Sequence, residues 1–326
     1  MRAWLVRDFG PFRDKLELAD VPRPVAEKGS ALIRVRAAGV NFPDALVIAG
    51  TYQVRPARPF TPGFELVGDV VQAGDGCAGV GEGDRVICWT DIGAFKEYVS
   101  VRPEHILPVP RSMTDAEAAA FLISYQTAIF SLIHRAKLRA GEVLLVHAAA
   151  GAVGSAAVQL GKAFGATVIA AASNSNKEAI CRGLGADYSI NYSTHNFVEE
   201  VLKVTDGRGA DVILDPVGGE VFGQSLRCIA SEGRIIPVGF ASGNIPSVAM
   251  NRVLLKNISI VGFYWGAYWK RDASLIRATH LRLNSLYEQG LIRPLVGKTY
   301  KMEELPKALA DLSDRNNYGK NVITMF

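Results

Sequence analysis

The chain has 326 residues, of which 49% are hydrophobic and 21% are charged, and its net charge is +4. This length predicts about two domains, because a single hydrophobic core rarely grows so large. The mild charge includes no run of Lys or Arg, so nucleic acids and anionic membrane surfaces are not expected partners. The four cysteines are scattered and form no CxxC pair. A disulfide framework is therefore not expected, and a reducing, cytoplasmic compartment fits best.

One uncharged stretch, residues 143–161, reaches the length of a membrane span. Its internal glycines and His147 favour a strand, a tight turn and a buried helix instead. The N-terminus lacks an apolar signal region of the required length. We therefore expect no association with a membrane.

The first 120 or so residues are typical of a β-rich domain. Residues 31–37 alternate apolar and polar side chains, as a half-buried strand does. Further strands are predicted at 65–73 and 84–88, on either side of a glycine-rich turn. An Ala-rich helix is predicted at 115–122, where this half of the chain gives way to a different pattern.

From residue 143 onward, apolar strands and amphipathic helices alternate. Strands are predicted at 143–148, 167–172, 211–215, 234–238 and 258–263, and helices at 153–164, 177–184, 198–204 and 219–229. Continuous apolar strands separated by helices predict an α/β fold with a doubly wound parallel sheet, covered on both faces. The tail adds helices at 273–288 and 302–313 and a strand at 321–325.

The clearest local signal is a turn of very small residues, 148–154, between the first of these strands and its helix. Small residues let backbone N–H groups approach a pyrophosphate, and the helix N-terminus adds a positive dipole end. Gly154 is expected to let the helix pack close to the strand. The alternative is an ordinary tight connection, which the alternating strand–helix series disfavours. The candidate pyrophosphate-binding residues are Ala150, Gly151, Ala152 and Val153.

The end of the next strand predicts which dinucleotide is bound. An NAD site usually carries an acidic residue about 20 positions after the turn, bonded to the ribose 2′-OH. This chain has Ser173 and Lys177 in that region and no carboxylate at the expected place. Such donors suit a 2′-phosphate, so we predict NADPH. Tyr192 could add a hydroxyl; the alternatives are a solvated Lys177 and a plain surface tyrosine.

Motifs along nearly the whole length now identify a family. The chain resembles the medium-chain dehydrogenase/reductase superfamily, and within it the zinc-independent quinone oxidoreductase branch. The matching segments, in chain order, are Ala38–Asp44, Gly50–Tyr52, Pro62–Gly68, Val80–Val86, Ala148–Gly154, Leu214–Gly219 and Gly319–Lys320. Their order and spacing make the resemblance specific.

The resemblance implies a GroES-like catalytic domain formed by residues 1–123 and 266–326, with a Rossmann domain, residues 124–265, inserted between them. It implies that the cofactor lies in the cleft between the two domains. It also implies a homodimer joined through the edges of the Rossmann sheets. The edge expected to pair is 258–263, because an apolar strand left unpaired would favour aggregation.

Zinc-dependent relatives carry ligands that this chain lacks. Asn41 stands where those relatives have a ligand Cys, Phe64 replaces a ligand His, and residues 89–99 are too few for a structural zinc lobe. Four-coordinate zinc needs nitrogen and sulfur donors, so no metal site is predicted. Without this Lewis acid, alcohol oxidation is not expected. His147 is interpreted as structural.

Metal-free reduction requires an electron-poor acceptor, such as a quinone or an enone, and an enzyme that orients donor and acceptor. Asn41 and Tyr52 lie on the loop that resembles the substrate loop of the family. We predict that Asn41 donates its amide N–H to the acceptor oxygen. Tyr52 matches the proton donor of the enoyl-thioester branch. The alternatives are that Asn41 holds loop backbone and that Tyr52 only packs.

Thr127 resembles the family residue near the nicotinamide; the alternative is a helix threonine bonded to its own backbone. Phe240, Phe263 and Trp265 follow two predicted Rossmann strands and are therefore expected to line the nicotinamide end of the cleft. Val217 and Arg315 are further candidates for cofactor contacts. Tyr264, Trp265, Tyr268 and Trp269 form a dense aromatic group that either stacks on a flat acceptor or packs the domain seam. Arg315 and Lys320 either reach the cofactor or are solvated at the surface.

Three functions remain open from the sequence. The first is an NADPH-dependent quinone reductase. The second is a reductase of 2-alkenals, enones or enoyl thioesters; a basic groove for a CoA phosphate would favour the thioester, and the sequence shows no obvious one. The third is of another class, an NADPH-binding protein with little turnover. Asn41, Tyr52 and the complete glycine turn favour the first two.

Overall fold

The computed structural model describes residues 1–77, 79–315 and 317–326, and these residues form two compact units. The first unit comprises Met1–Ile123 and Pro294–Phe326, and the second comprises Ser124–Arg293. The second unit extends beyond residue 265, where the inserted domain was expected to end. The reason is that helix Ala273–Glu288 packs inside it, where the Ile276 carbonyl accepts the Gln126 amide at 3.0 Å.

The first unit is built on antiparallel strands. They are β1 (Arg2–Val6), β2 (Leu16–Asp20), β3 (Ala31–Gly39), β4 (Glu65–Ala73), β5 (Arg85–Trp89), β6 (Tyr98–Val101) and β7 (Ile106–Pro108). The predicted strands at 31–37, 65–73 and 84–88 are confirmed within about two residues. β1 and β2 form a hairpin, whereas the main sheet runs β14-β15-β3-β4-β5-β7, with β6 also paired to β3.

Two strands of this main sheet come from the end of the chain. They are β14 (Val296–Lys301) and β15 (Lys320–Thr324). β15 pairs antiparallel with β3, and Val322 lies opposite Gly39. The tail therefore completes the first unit, as the resemblance implies. Buried side chains of both segments, including Trp4, Phe95 and Tyr300, share one core.

Short helices cover the first unit. They are α1 (Phe12–Lys15), α2 (Phe42–Ala49), α3 (Asp115–Ala119) and α12 (Leu305–Ser313), with 3₁₀ turns at Pro103–His105 and Met302–Glu304. The segment after Asn41, expected to be a loop, is helix α2. It ends at Gly50, whose φ of 72° gives the left-handed C-cap that glycine adopts without strain.

The second unit contains one parallel sheet. Its strands are β8 (Val143–Val146), β9 (Thr167–Ala172), β10 (Tyr188–Asn191), β11 (Ala210–Asp215), β12 (Ile229–Pro237) and β13 (Ser259–Ile260). The order β10-β9-β8-β11-β12-β13 is that of a Rossmann domain, so the predicted fold is confirmed. The direction of strand order reverses between β8 and β11. Ligands of such sheets bind at this switch point, outside the carboxyl ends of the strands.

Helices flank this sheet. They are α4 (Leu122–Ile129), which starts in the first unit and continues as a π-helix over Phe130–Arg135, then α5 (Ala152–Ala163), α6 (Ser175–Gly183), α7 (Phe197–Val204), α8 (Gly219–Cys228), α9 (Met250–Leu255), α10 (Ala267–Arg271) and α11 (Ala273–Glu288). The helices predicted from residue 153 to residue 288 are confirmed with small shifts at their ends. In the part of the chain that the structure describes, no helix has both the length and the hydropathy needed to cross a bilayer.

The last strand of the sheet is shorter than predicted. The apolar run 258–263 predicted six residues, but β13 spans only Ser259–Ile260. The Val261 N–H still donates to the Ile235 carbonyl. The next hydrogen bond of this parallel ladder would run from residue 237 to the Val261 carbonyl, but residue 237 is proline and has no N–H to donate. The pairing therefore ends at residue 261.

Candidate active site

The glycine turn follows β8 at the switch point of the sheet. Ala148 adopts a φ of 46°, and its carbonyl accepts the Gly151 N–H at 2.8 Å. Helix α5 then begins at Ala152. The first N–H groups of a helix have no partner within the helix and therefore point outward as donors. Of the four predicted pyrophosphate ligands, Ala150 is buried, whereas Gly151, Ala152 and Val153 are half-buried.

Gly154 brings helix and turn together, as its predicted role requires. A Cβ at this position would lie 2.3 Å from the Ala148 carbonyl oxygen and 2.8 Å from Ala149 Cα. Both contacts are with backbone, so they cannot be relieved by rotating a side chain. The close approach of α5 to the turn therefore requires glycine here.

A second turn lies on the other side of the switch point, after β11. Asp215 Oδ1 accepts the N–H of Val217 at 2.7 Å and the N–H of Gly218 at 3.0 Å. Burial raises the pKa of Asp215. Gly218 has a φ of 73°, and a Cβ there would lie 2.8 Å from the ring of Phe240. The predicted nicotinamide residues Val217 and Phe240 are thus brought together by this turn.

The residues predicted to bind the 2′-phosphate gather at the ends of two neighbouring strands. β9 and β10 pair in parallel with Asn191 opposite Ala172, so Ser173 and Tyr192 follow adjacent strand ends. Tyr192 is exposed. Lys177 lies in the first turn of α6, and its N–H is capped by Asn174 Oδ1 at 2.9 Å. The sequence did not single out Ser193, whose hydroxyl donates to the Ser173 carbonyl at 2.6 Å.

The other predicted cofactor residues differ in how accessible they are. Thr127 is half-buried on α4, and Phe263 is half-buried after β13. Trp265 is buried in an edge-to-face pair with Trp269, with ring centroids 5.7 Å apart, so this pair serves packing. Arg315 lies exposed in the first unit. Its contact with a cofactor stays a prediction.

His147 directly follows β8, and its contacts are those of a residue that stabilises the fold. Its Nε2 lies 2.8 Å from Ser225 Oγ, and its ring packs edge-on against Phe197. Burial lowers the pKa of His147 to about 3, so the imidazole is neutral at physiological pH. A neutral, buried ring suits the interpretation made from the sequence.

The first unit contains a buried polar group that we term the Lys320 cluster. It comprises Asn41, Asp44, Glu65 and Lys320, all at most 7% exposed. Lys320 Nζ lies 2.5 Å from Glu65 Oε1 and donates to Asn41 Oδ1 at 2.6 Å. Glu65 Oε2 accepts the N–H of Ile123 at 2.8 Å. The cluster therefore links β4, β15, the start of α2 and Ile123, where the first segment of this unit ends.

The amide of Asn41 is already used within this cluster. Its Nδ2 donates to the Gly39 carbonyl at 3.2 Å and to Glu65 Oε1 at 3.0 Å. Both amide hydrogens are thereby engaged, so the role predicted for Asn41, donation to an acceptor oxygen, does not fit this geometry. The alternative, that Asn41 holds the backbone, fits. Lys320 likewise is buried rather than solvated at the surface.

Asp44 is the member of the cluster at the start of α2. Its Oδ2 accepts the Asn41 N–H at 2.6 Å. Burial raises the pKa of Asp44 to about 7, although that N–H and the charge of Lys320 oppose the shift and Glu65 adds to it. The carboxyl is thus held near the point of half-ionisation at neutral pH.

Tyr52 packs near this cluster from the other end of α2. Its ring meets Phe64 edge-on, with centroids 6.2 Å apart. Its N–H donates to the Leu46 carbonyl at 3.2 Å, which fixes the chain just beyond the helix. Packing is therefore one established role of Tyr52, and proton donation stays a prediction.

The residues of this region do not fit a catalytic zinc ion. Phe64 offers no donor atom, and the carbonyl oxygen of Asn41 already accepts the Lys320 ammonium. Within residues 1–77, 79–315 and 317–326, no three His, Cys, Asp or Glu side chains are arranged to hold a metal. The donors that tetrahedral zinc requires are not supplied here.

Comparisons with known proteins give a consistent result. A family model described as the alcohol dehydrogenase GroES-like domain matches residues 27–111, and one described as zinc-binding dehydrogenase matches residues 152–278. The quinone oxidoreductase-like protein 2 homolog of Nematostella vectensis is 41% identical over 294 residues, which are 89% of this chain and 80% of that protein.

Solved structures agree along the whole chain. The quinone oxidoreductase of Thermus thermophilus, crystallised alone and in complex with NADPH, is 35% identical, with a TM-score of 0.82 and 100% of both chains covered. The quinone oxidoreductase of Pseudomonas syringae is 28% identical, with a TM-score of 0.93 and 99% of both chains covered. The chain belongs to the medium-chain dehydrogenase/reductase superfamily of oxidoreductases, in its quinone oxidoreductase branch.

Proposed function

We propose that this protein is a zinc-independent, NADPH-dependent reductase that transfers hydride to quinones or to related activated double bonds. The observation that carries the proposal is the Lys320 cluster. Where zinc-dependent relatives bind their metal, an ammonium ion and an amide are bonded to each other and Phe64 supplies no ligand. Without a Lewis acid to stabilise an alkoxide, the acceptor must itself delocalise the incoming electron pair.

The second unit supplies a cradle that fits NADPH. The N-terminus of α5 and the glycine turn are suited to the pyrophosphate, because Gly154 admits backbone contact that any Cβ would block. Ser173, Lys177 and Tyr192 offer hydroxyl and ammonium donors for a 2′-phosphate. Thr127, Val217, Phe240 and Phe263 are assigned to the nicotinamide end. When bound, NADPH supplies a hydride, which together with a proton converts a quinone to a hydroquinone.

The protein's own part in the reaction is mainly to orient the two reactants. The Lys320 cluster fixes the start of α2, and the Tyr52–Phe64 contact fixes the segment beyond its end. This segment carries the hydroxyl of Tyr52, which we assign as the proton donor if the acceptor is an enone or an enoyl thioester. Quinones need no such dedicated acid, because the hydroquinone anion takes its proton from water.

A panel of acceptors tests this proposal. Oxidation of NADPH by purified protein is followed with 1,4-benzoquinone, 9,10-phenanthrenequinone, a 2-alkenal and crotonyl-CoA. We expect the quinones to be turned over fastest and Tyr52→Phe to change quinone turnover by less than about threefold. Preferential turnover of crotonyl-CoA, with a large loss in Tyr52→Phe, would assign the protein to the enoyl-reductase branch. Binding of NADPH without turnover of any acceptor would favour the non-enzymatic role.

We also propose a homodimer formed through β13. This strand is the outer strand of the parallel sheet, and Ile260 on it is exposed. The preceding helix α9 exposes Met250, Leu254 and Leu255 beside it in the chain. An apolar edge of this kind is usually covered by another chain. Light scattering should give a dimer for the native protein and a monomer for Ile260→Lys; a monomeric native protein would contradict the proposal.

A further inference from the structure

A cavity of about 410 Å³ opens in the second unit beside the end of β13. Gly262, Phe263 and Tyr264 form one side, and Tyr268 and Arg271 of α10 form another. Its volume lies in the range of about 300–1,000 Å³ typical of small-molecule sites. Because it follows a strand of the parallel sheet, it lies at the carboxyl edge, where such sheets bind their ligands.

The charged side chains of this cavity all have the same sign. Arg135 reaches it from the end of the π-helix, and its Nε donates to the Gly262 carbonyl at 3.1 Å. This bond holds the guanidinium in place and leaves its two terminal nitrogens as donors. Arg271 lines the cavity as well, and its guanidinium donates no hydrogen bond within the part of the chain that the structure describes. No carboxylate is present among the described lining residues.

The neighbouring carboxylate does not neutralise these arginines by a direct contact. Asp272 follows Arg271 in sequence and caps α11. Its Oδ1 accepts the Ser274 hydroxyl at 2.6 Å and the Leu275 N–H at 3.0 Å. Asp272 is therefore bonded to its own helix. The charge of Arg271 contributes to lowering the Asp272 pKa, after the Ser274 and Leu275 hydrogen bonds, but no ion pair joins the two side chains within the described residues, so the guanidinium N–H groups of Arg271 can bind an anion.

The remaining wall is aromatic: the rings of Phe263 and Tyr268 lie with their centroids 6.2 Å apart and are tilted by 40° to each other. Tyr268 meets Phe130 edge-on, with ring centroids 4.8 Å apart, and Phe130 stacks near Phe263 at 6.3 Å. Phe130 begins the π-helix that carries Arg135. Such helices are rare and often occur at functional sites. Here the π-helix places an aromatic support and a cation at one cavity.

We infer that this cavity is an anion subsite for the acceptor, and that the enzyme prefers planar aromatic acceptors bearing a carboxylate, sulfonate or phosphate. Phe263 and Tyr268 contact the ring, whereas Arg135 and Arg271 bind the anionic group by charge-assisted hydrogen bonds. The inference rests on the proposed function, because it assigns a substrate class to that reaction. Recognition of an anionic group would distinguish this protein from a reductase that selects its acceptor only by shape.

The test compares two quinones that differ by one charge. They are 1,2-naphthoquinone and its 4-sulfonate, each reduced with NADPH by the purified protein. We expect kcat/KM for the sulfonate to exceed that for the neutral quinone. Arg271→Gln should lower this ratio by about tenfold, since one charge-assisted bond is lost. Arg271→Lys should restore part of the ratio, and Lys270→Gln, an equal charge change outside the cavity, should preserve it.

The possible outcomes distinguish failure of the proposed anion subsite from failure of the proposed reductase function. Reduction of both quinones with a ratio that Arg271→Gln leaves unchanged would overturn the subsite and leave the proposed function standing. A ratio lowered equally by Lys270→Gln would also overturn it, because general surface charge would then explain the preference. If neither quinone is reduced, calorimetry with 1-naphthalenesulfonate decides the question of the subsite. Binding that weakens about tenfold in Arg271→Gln supports the subsite, and equal binding refutes it.

Discussion

The glycine turn of the second unit and the Lys320 cluster of the first unit are assembled in different ways. The turn is made of backbone from contiguous residues, and its geometry depends on the absence of side chains, above all at Gly154. The cluster is made of side chains whose positions are 24 and 279 residues apart in sequence. An added side chain at residue 154 is therefore expected to disrupt the turn, whereas loss of one charged side chain is expected to disrupt the Lys320 cluster.

This difference explains what the sequence could reveal. A local pattern encodes the turn, so its position and the close approach at Gly154 could both be predicted. The strands and helices around it carry their own hydrophobic periodicity and were predicted for the same reason. The Lys320 cluster leaves no local pattern. Its members were assigned separate roles, Asn41 as a donor and Lys320 as a surface or cofactor residue, because only the fold brings them together.

The helix after Asn41 and the short length of β13 are two further features that the local sequence pattern does not predict. Helix α2 is short and nearly all apolar, so its helical periodicity is weak and the sequence does not distinguish it from a loop. The apolar run through Phe263 favours a longer strand, but Pro237 on the neighbouring strand has no N–H to continue the pairing. Each error arises where a weak local pattern, or a residue on another strand, determines the backbone.

Removing the buried cation should have the largest effect. Lys320→Met leaves Glu65 charged and unpaired in the interior, which typically costs about 3–5 kcal/mol. The matched control is Lys162→Met, which breaks a half-exposed pair with Asp187 and should cost less than about 1 kcal/mol. Urea unfolding of both variants measures the difference. Equal losses would show that the Lys320 cluster is no more important to the fold than a surface ion pair.

Asp44 should make stability fall as the pH rises. Its pKa is about 7 in the folded protein and about 3.9 when unfolded, so the folded state retains a proton that the unfolded state has lost. The stabilisation is complete below about pH 4 and is lost as the pH rises through about 7, at up to about 1.4 kcal/mol per unit.

The Asp44→Asn variant isolates this contribution, because the amide oxygen can still accept the Asn41 N–H and does not titrate. Unfolding free energies of the native protein and the variant, measured from about pH 5 to about pH 8, should be similar at the acidic end and diverge as the pH rises, because only the native protein loses stability when Asp44 ionises. Parallel curves would mean that Asp44 ionises normally despite its burial.

In the glycine turn, a single methyl group should act through steric overlap. Gly154→Ala places a Cβ against the Ala148 carbonyl oxygen, and overpacking of this kind costs about 1–3 kcal/mol. It should also weaken NADPH binding by shifting the turn. Gly223→Ala is the matched control, because a Cβ there meets nothing within 4 Å and helix α8 should gain about 0.5–1 kcal/mol. Similar melting temperatures for the two variants would refute the steric argument.

The smallest expected effect concerns the choice of dinucleotide. Lys177→Ala should raise the Kd of NADPH by about tenfold, or about 1.4 kcal/mol, and leave that of NADH nearly unchanged. Lys203→Ala removes an equal charge from the exposed face of α7 and should alter neither value. A parallel loss for NADH in Lys177→Ala would indicate a role in folding of the turn rather than in binding of a 2′-phosphate.

The central claim is metal-free reduction by NADPH. Its most direct test is quinone turnover by protein stripped with a chelator and shown by elemental analysis to lack zinc, with NADPH and NADH as parallel donors. We predict undiminished turnover, no stimulation by added zinc, and a kcat/KM for NADPH at least about tenfold above that for NADH. Turnover that requires zinc, or that uses both donors equally, would contradict it.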